Sequence, residues 1–323
     1  MQKLISRSLL ILVVVCSSFK PNQTAPSTNN NLNLKKGALN FMVIGDWGRQ
    51  GEYHQQDVAD AMSQYSSKYD ARFIISTGDN FYTNGVRSVN DPLWQTCFEN
   101  VYHWSSLQKD WYVVLGNHDY HGNPQAEIDY TKISRRWNLP SRYYTVMKKI
   151  DDRDSIRFLF IDTSPFLVKY HAGVQGYDLN VDQNEIQRQD TTKQLQWIDK
   201  VLTSSRAQWN IVVGHHPIYS ADFEHGNTNE LVDVLDPILQ KHHVQFYLCG
   251  HAHDMQHLKA PGDPTEYVVS GAGSETRPTG HSSMTQFGIS TSGFAFFSVD
   301  DDSIQLSFVD YQGNVLYSAK RGK

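Results

Sequence analysis

The sequence predicts an α/β protein built as a four-layer α/β/β/α sandwich, with two packed mixed sheets and helices outside. Apolar, strand-like runs alternate with helix-like segments from residue 38 onward. After residue 253 the pattern changes to successive strand-like runs joined by short turns, which indicates a second, more antiparallel sheet packed on the first. No internal repeat and no linker divides residues 38–323, so we expect one domain.

The first part of this region alternates strands with helices. The predicted strands are 41–44, 73–77, 111–115, 156–162, 210–213 and 246–249. A helix is predicted over 53–67, because Val58, Met62 and Tyr65 recur at helical spacing. The same spacing predicts a helix over 191–203 and another over 230–241. This alternation is typical of α/β proteins.

The last part of the chain reads as strands separated by polar turns. The predicted strands are 266–273, 293–300, 303–310 and 314–320. Turns are predicted at 300–302 and 312–314, where aspartate, glycine and asparagine cluster. The polar stretch 173–191 contains few apolar residues, and we expect it to be an exposed loop.

Composition and charge exclude several classes of protein. The chain has 323 residues, of which 39% are hydrophobic and 20% charged, so neither a disordered protein nor a collagen-like fibre is expected. The formal net charge is −5, and lysine and arginine are scattered along the chain. A protein that binds the phosphate backbone of a nucleic acid needs a stripe of basic residues. The scattered lysine and arginine residues form none in the sequence, so no nucleic-acid partner is expected.

The N-terminus resembles an export signal. Residues 1–18 combine basic Lys3 and Arg7 with a short apolar core and small residues after it, which predicts a signal peptide and an exported protein, secreted or periplasmic. The apolar core is too short for a stable membrane span. Cleavage near Ser18 is favoured over a lipid anchor at Cys16, because valine precedes that cysteine. Residues 19–36 are predicted to form a flexible leader, and 37–323 the catalytic domain.

The cysteines do not form a disulfide framework. There are 3 cysteines in the chain, too few for a small disulfide-stapled fold. Cys249 lies inside a predicted strand, which favours a buried, unreactive thiol. A disulfide between Cys97 and Cys249 remains open at this point.

Strand-like runs end five times in side chains that bind metal or phosphate. The ends are Gly45-Asp46-Trp47-Gly48, Gly78-Asp79-Asn80-Phe81-Tyr82, Gly116-Asn117-His118-Asp119, Gly214-His215-His216-Pro217 and Gly250-His251-Ala252-His253. Because α/β proteins build their sites where strands end at one sheet edge, we expect these side chains to meet. Aspartate, asparagine, tyrosine and histidine suit iron, zinc or manganese. The sequence therefore predicts a hydrolytic centre with two metal ions.

Asp46 and Asp79 each follow a glycine at a strand end. Glycine allows a sharp turn and a close approach of the backbone, so the carboxylate that follows it points into the cleft. A single Gly-Asp pair more often forms a turn or a helix cap. Its combination with the histidine runs favours metal binding. One of the two carboxylates is expected to bridge the metals, since its two oxygens can be shared.

Spacing separates the histidines into ligands and non-ligands. His251 and His253 lie two residues apart, so both face the same side of an extended segment, and this pattern favours metal ligation. His215 and His216 are adjacent and cannot both face that side. Only one of the pair is therefore expected to bind metal.

Asn117 and His118 have different predicted roles. The carbonyl oxygen of Asn117 can bind a hard metal without adding negative charge, whereas His118 can contact phosphate or protonate a leaving oxygen. A hairpin turn explains the same residues equally well, and the sequence alone leaves both interpretations open.

With these motifs the chain resembles the metallophosphoesterases, and within them the purple acid phosphatases of the small, single-domain, tartrate-resistant type. Many superfamily members carry Asp-x-His in the first motif, whereas this chain has Asp46-Trp47-Gly48. It also carries Tyr82 three residues after Asp79. Both departures are typical of purple acid phosphatases, in which the tyrosine replaces the missing histidine. The resemblance covers residues 38–323 and includes the four-layer fold.

The resemblance implies a complete set of metal ligands. The ligands of Fe(III) would be Asp46, Asp79, Tyr82 and His253. The ligands of a divalent ion (Fe, Zn or Mn) would be Asp79, Asn117, His215 and His251, with Asp79 bridging.

The resemblance also implies residues that bind substrate. His118 is similar to the histidine that binds substrate and donates a proton, and Asn117 lies beside it. His225 resembles a second such catalytic histidine, and His216 is expected to contact substrate or support the metal ligands. The stretch 173–191 resembles the loop that covers the site in small animal enzymes.

The implied activity is that of an acid phosphatase, which hydrolyses phosphate monoesters by attack of a metal-bound hydroxide. Its substrates would be small phosphorylated compounds or phosphoproteins. A phosphodiesterase or nucleotide pyrophosphatase on the same scaffold is the first alternative. A non-catalytic binding module is the second, and it is disfavoured because every ligand position is filled.

Overall fold

The computed structural model describes residues 31–171 and 184–323. The strands are β1 (Leu39–Ile44), β2 (Ala71–Ser76), β3 (Asp110–Val113), β4 (Trp137–Asn138), β5 (Tyr144–Lys149), β6 (Ser155–Phe160), β7 (Trp209–Val213), β8 (Phe246–Cys249), β9 (Met255–Leu258), β10 (Glu266–Ser270), β11 (Thr285–Ile289), β12 (Gly293–Val299), β13 (Ser303–Asp310) and β14 (Val315–Gly322). The α-helices are α1 (Gln55–Tyr69), α2 (Pro124–Tyr130), α3 (Asn184–Gln187), α4 (Thr191–Thr203), α5 (Asn229–Val234) and α6 (Asp236–Lys241).

The strands form two mixed sheets. The first has the order β14-β13-β12-β1-β2-β3-β4, and the second has the order β11-β9-β10-β8-β7-β6-β5. β1 to β4 run parallel in the first sheet, as do β6, β7, β8 and β10 in the second. The predicted sandwich of two packed sheets is confirmed.

A cluster of aromatic side chains joins the two sheets. Phe41 pairs with Phe73 on one neighbouring strand and with Phe297 on the other, so the three rings stack at 5.0 Å between neighbouring centroids. From the second sheet, the ring of Phe158 meets Phe41 edge-on at 5.3 Å. Stacked and edge-on contacts are the preferred arrangements of aromatic rings. These rings therefore hold the sheets face to face.

Helices cover the outer faces of the sandwich. Met62 and Tyr65 of α1 are buried, and the ring of Tyr65 lies 5.7 Å from that of Phe294 in the first sheet. α4 buries Ile198 and Leu202, and Gln194 in this helix exchanges two hydrogen bonds with the backbone of Asp162 just after β6. The apolar stripes read from the sequence thus face the sheets.

The distribution of the late strands was predicted wrongly. The strands after residue 253 do not form a sheet of their own: β9, β10 and β11 extend the second sheet, whereas β12, β13 and β14 extend the first. β12 pairs antiparallel with β1, so that β1 lies in the interior of its sheet. An alternating pattern shows which face of a strand is buried, but it does not show which strand is its neighbour.

Two local predictions also need correction. The helix expected over 230–241 is divided into α5 and α6, because Pro237 lies in the first turn of α6 and has no N–H for a continuous helix. The leader predicted over 19–36 is not flexible throughout. Leu32 is buried, and its backbone N–H donates to the hydroxyl of Tyr69.

The remaining N-terminal predictions are untested. The predicted signal peptide and residues 19–30 lie outside the described residues. Among the residues that are described, no helix is long and apolar enough to cross a membrane.

Cys97 and Cys249 are buried free thiols, so the disulfide left open above is not formed. Burial raises the pKa of Cys97 to about 11 and raises that of Cys249 as well. Both side chains therefore remain uncharged and unreactive.

Glu266, at the start of β10, is a buried carboxylate that should stabilise the fold in mild acid. Burial alone would raise its pKa, but hydrogen bonds from His257 and Lys259 outweigh this and lower the pKa to about 2. Its stabilising effect is therefore complete above its ordinary value of 4.5 and is lost as the pH falls toward 2.

We expect Glu266→Gln to lower the free energy of unfolding by about 1–3 kcal/mol at neutral pH, because charge-assisted hydrogen bonds are lost. The difference between wild type and variant should shrink as the pH falls from about 4.5 to about 2. Urea unfolding across this range measures it. A difference that stays constant with pH would contradict the assignment of this stabilisation to the carboxylate.

Candidate metal centre

The predicted ligands lie in loops at the carboxyl ends of parallel strands, but these strands belong to both sheets. From the first sheet come Asp46 after β1, Asp79 and Tyr82 after β2, and Asn117 after β3. From the second sheet come His215 after β7, and His251 and His253 after β8. The site was expected at the edge of a single sheet, but it lies where the edges of two sheets meet. All oxygen ligands come from one sheet and all imidazoles from the other.

The glycines of the motifs allow loops to approach the carboxylates closely. A Cβ atom on Gly116 would lie 2.2 Å from Asp79 Oδ1, and one on Gly250 would lie 2.3 Å from Asp46 Oδ2. Any other residue at either position would displace a predicted ligand. Asp46 and Asp79 themselves have φ values of 59° and 50°, a conformation that aspartate tolerates better than most residues. The local sequence therefore fixes both carboxylates.

The first ligand group surrounds the phenol of Tyr82. Its oxygen lies 2.9 Å from Asp46 Oδ1, 3.0 Å from Asp79 Oδ2 and 2.9 Å from His253 Nε2. His253 Nε2 lies 3.6 Å from Asp46 Oδ1. The four side chains are buried and present their ligand atoms to one small volume.

The second ligand group surrounds Nε2 of His215. This nitrogen lies 3.1 Å from Asn117 Oδ1, 3.2 Å from His251 Nδ1 and 3.5 Å from Asp79 Oδ1. Asp79 thus directs one oxygen to each group, as a bridging ligand must. Asp46, Asp79 and His215 also lie close enough together to hold one ion, and so do His215, His216 and His251.

The donor atoms fit a pair of metal ions. In the first group a single phenol proton on Tyr82 faces two carboxylate oxygens and can satisfy only one of them. In the second group Nδ1 of His215 donates to the carbonyl of Thr77 at 2.9 Å, so Nε2 is the nitrogen that faces Asn117 Oδ1 and would bind a metal. Oxygen and nitrogen donor atoms that face one another in a buried site repel unless a proton or a metal ion lies between them.

The electrostatics of the site also call for cations. Burial disfavours the charged form of His215, but the Asp79 carboxylate outweighs this and raises the pKa of His215 to about 9. Burial also raises the pKa of Asp46 well above its ordinary value. Both shifts favour a bound proton, for His215 because of the Asp79 carboxylate and for Asp46 because of burial, and a metal ion would compensate the buried carboxylates more fully.

His118 lies beside the metal groups and is oriented by the backbone. Its Nδ1 is 2.6 Å from the carbonyl of Thr83 and donates to it, which makes Nε2 the nitrogen available for proton transfer. Its backbone N–H donates to Asp79 Oδ1 at 2.8 Å. The hairpin interpretation of this motif is wrong, because β3 and β4 are parallel and a 3₁₀ turn (Asp119–His121) follows His118.

His225 reaches the site, but its contacts argue against the predicted role as a proton donor. Its ring centroid lies 4.2 Å from that of His251. Nε2 faces the guanidinium of Arg277 at 3.2 Å, and since arginine can only donate, this nitrogen accepts and carries no proton. Burial lowers the pKa of His225, and Arg277 lowers it further. A substrate contact by His225 remains a prediction.

His216 is buried and engaged on both sides of its ring. Nδ1 lies 2.8 Å from the hydroxyl of Thr163, and Nε2 lies 2.8 Å from that of Tyr170. These contacts argue against the direct substrate contact predicted for His216. Its ring packs 4.4 Å from that of His251, so it supports a predicted ligand instead.

The stretch 173–191 lies partly outside the described residues, which resume at 184. An exposed loop was expected here, but the described part is not wholly exposed. It contains α3, in which Ile186 is buried, and Asp190 caps the start of α4 by accepting from the backbone of Lys193.

Several residues that shape the site were missed in the sequence. Asp119 is buried and accepts from the backbone N–H groups of Gly116, Asn80 and Phe81, which joins two ligand loops. Its place directly after Asn117-His118 is a signal that sequence reasoning could have used. The Arg277 contact has no such signal, because this residue lies far along the chain from His225.

Arg49 was also missed. Its guanidinium carbon lies 4.0 Å from the centroid of the Tyr82 ring, and Nη2 lies 2.7 Å from Glu275 Oε2. Nothing in the spacing of the sequence pairs residue 49 with residue 82 or residue 275.

Comparison with known proteins places the chain in one family. Residues 39–255 match the family described as Calcineurin-like phosphoesterase. The chain is 36% identical to purple acid phosphatase 4 of Arabidopsis thaliana, over 97% of this chain and 93% of that protein. It is 34% identical to human tartrate-resistant acid phosphatase type 5, over 88% and 90% of the two chains.

A solved structure extends the agreement to the fold. GAP50 of Plasmodium, described as the anchor in the inner membrane complex, superposes with a TM-score of 0.75 at 25% identity, and the match covers 88% of this chain and 89% of that one. Sequence and fold therefore lead to one conclusion. The chain belongs to the calcineurin-like phosphoesterases and, within them, to the purple acid phosphatases.

Proposed function

We propose that this chain is an acid phosphatase that hydrolyses phosphate monoesters at a dinuclear metal centre. The observation that carries the proposal is the division of Asp79, whose Oδ2 faces the Tyr82 group while Oδ1 faces the His215 group. A shared carboxylate brings two ions close enough to act on one phosphate. The relatives named as acid phosphatases support the same activity.

The two ligand groups differ in the metal that each would hold. The Tyr82 group combines two carboxylates and a phenol with one imidazole, a set rich in hard oxygen donors that suits Fe(III). The His215 group combines two imidazoles with a neutral amide oxygen and one shared carboxylate, which suits divalent iron, zinc or manganese. When bound, the metal pair clamps the phosphate, stabilises its developing charge and activates a water molecule.

The residues around the metals have separate tasks. The hydrogen bond from His118 Nδ1 to Thr83 orients the ring so that Nε2 can protonate the leaving oxygen. The relatives named as acid phosphatases support activity at acidic pH. His225, held by Arg277, lies beside His251, where it can contact the bound phosphate group.

The test compares phosphate monoesters with diesters. We expect the purified protein to hydrolyse p-nitrophenyl phosphate faster than bis(p-nitrophenyl) phosphate, and faster in mild acid than in alkali, with iron and a second metal bound. Preference for the diester would support the phosphodiesterase alternative. Bound metal without any turnover would support a binding module instead. Phosphorylated peptides and small phosphate esters, assayed in parallel, would distinguish the two substrate classes.

Tyr82→Phe tests the identity of the first metal. If Tyr82 binds Fe(III) as a phenolate, the wild-type protein should be pink or purple, because phenolate transfers charge to Fe(III) when it absorbs visible light. The variant should lose this band, since phenylalanine has no oxygen to donate. Visible spectra with metal analysis measure the effect. An active, iron-containing wild type without a visible band would refute the assignment.

We also propose that the protein is exported after cleavage of residues 1–18. The basic start and short apolar core of this segment support it. N-terminal sequencing of the mature protein tests the proposal. An N-terminus near residue 19 is expected, whereas retention of residues 1–18 would contradict it.

A further inference from the structure

Arg49 joins three loops around the phenol of Tyr82. It lies in the loop after β1, and its backbone N–H donates to Gln55 Oε1 at 3.1 Å. Its guanidinium lies over the Tyr82 ring in the loop after β2, with 4.0 Å between the guanidinium carbon and the ring centroid. Glu275, in the loop after β10, holds the guanidinium at 2.7 Å. The contact is therefore built by residues from three separate loops.

The contact is stronger than an ordinary surface pair. The side chain of Arg49 is only 15% exposed, so solvent screens it weakly. A guanidinium over the face of an aromatic ring is attracted to the electrons of that ring, and the attraction grows as water is excluded. Arginine keeps its charge at every physiological pH, so this cation is permanent.

Tyr82 lies between opposite charges. Its hydroxyl faces the carboxylates of Asp46 and Asp79, which increase the electron density of the oxygen, while Arg49 lies over its ring and withdraws density. The ring face is thus a part of this ligand that a cation reaches without occupying the metal site. Arg49 therefore contacts the first ligand group through the ring of Tyr82.

We propose that Arg49 is a positioning residue that fixes the Tyr82 ring and tunes the electron donation of its oxygen to the bound metal. This inference rests on the proposed iron–tyrosinate centre and deepens it. A cation over the ring stabilises the state in which the ring is rich in electrons. Light absorption by the charge-transfer band moves an electron from the ring to the metal, so Arg49 raises the energy of that transition.

The experiment compares visible spectra of iron-loaded full-length proteins. Arg49→Met, which removes the charge and keeps much of the volume, should shift the band to longer wavelength by on the order of ten nanometres. Arg49→Lys should shift it less, because the charge remains while the planar stacking is lost. Arg321→Met is the matched control, since Arg321 lies over the ring of Phe246, which is not a predicted ligand, at 5.7 Å. This control should leave the band in place.

The visible spectrum of Glu275→Gln provides a second measurement, in which Arg49 is kept. Without the carboxylate at 2.7 Å, the guanidinium is less neutralised and acts more strongly on the ring, so the band should move to shorter wavelength. Opposite shifts in Arg49→Met and Glu275→Gln would support the proposal, because general damage to the site would not reverse its sign.

Two results would overturn the inference, and they differ. The role of Arg49 is rejected if an iron-loaded Arg49→Met protein shows the wild-type band. If that variant does not load iron, an unshifted band in Glu275→Gln rejects it instead. Either result leaves the iron–tyrosinate centre intact. An iron-loaded wild type without any visible band rejects the iron–tyrosinate centre and the role of Arg49 together.

Discussion

Replacement of Asp79 by asparagine is expected to abolish metal binding and to lower kcat by about a thousandfold or more. The two oxygens of Asp79 face different ligand groups, so one substitution damages both. Asparagine offers a single neutral oxygen and an N–H₂ group, which cannot bind a cation. Metal analysis and phosphatase assays on the same preparation measure the two effects.

The matched control is Asp310→Asn. Asp310 is also buried, but it accepts from the backbone N–H groups of Gln312 and Asn314 in a turn. This variant should lose some stability and keep both metals. If Asp79→Asn retained two metal ions with normal turnover, the bridging role would be wrong. Circular dichroism of both variants would separate loss of metal from loss of fold.

Replacement of His118 by alanine is expected to lower kcat by about 10²- to 10⁴-fold while the metal content remains normal. The reason is that His118 is oriented by Thr83 but does not belong to either ligand group. The loss should be largest for substrates whose leaving group is a poor acid, because these need protonation most. Comparison of an alkyl phosphate with p-nitrophenyl phosphate measures this dependence.

His118→Asn and His121→Ala serve as controls for this experiment. Asparagine can still donate to the carbonyl of Thr83, so it keeps the local structure without an acidic proton to transfer. The ring of His121 lies 5.4 Å from that of His118 on the same turn, and its removal should change kcat little. Loss of metal in His118→Ala would show that a ligand had been mistaken for a proton donor.

The convergence of the predicted ligands could be foreseen because most of them lie in motifs that are encoded locally, whereas Tyr82 was assigned as a ligand only from the family resemblance. A glycine followed by a ligand at the end of an apolar strand occurs within a few residues, and the physical need for glycine at Gly116 and Gly250 is equally local. Seven separate positions then converge because the loops at the ends of parallel strands share an edge. The division of that edge between two sheets was not foreseen, but it did not change which residues meet.

Contacts between distant segments could not be predicted in this way. His225 was assigned a catalytic role from the family resemblance, yet Arg277 determines which of its nitrogens can carry a proton. His216 was expected to contact substrate or to support the metal ligands, and Thr163 and Tyr170, which bind both of its nitrogens, favour the second role. Such partners depend on the completed packing, which no periodicity in the sequence records.

The origin of the ligands also has a consequence for what the site depends on. The first sheet alone offers only oxygen atoms, from Asp46, Asp79, Tyr82 and Asn117, a set that suits magnesium or calcium. The imidazoles, which favour iron, zinc and manganese, all come from the second sheet. Neither sheet therefore presents a complete ligand group, and the preference for transition metals depends on the packing of one sheet against the other.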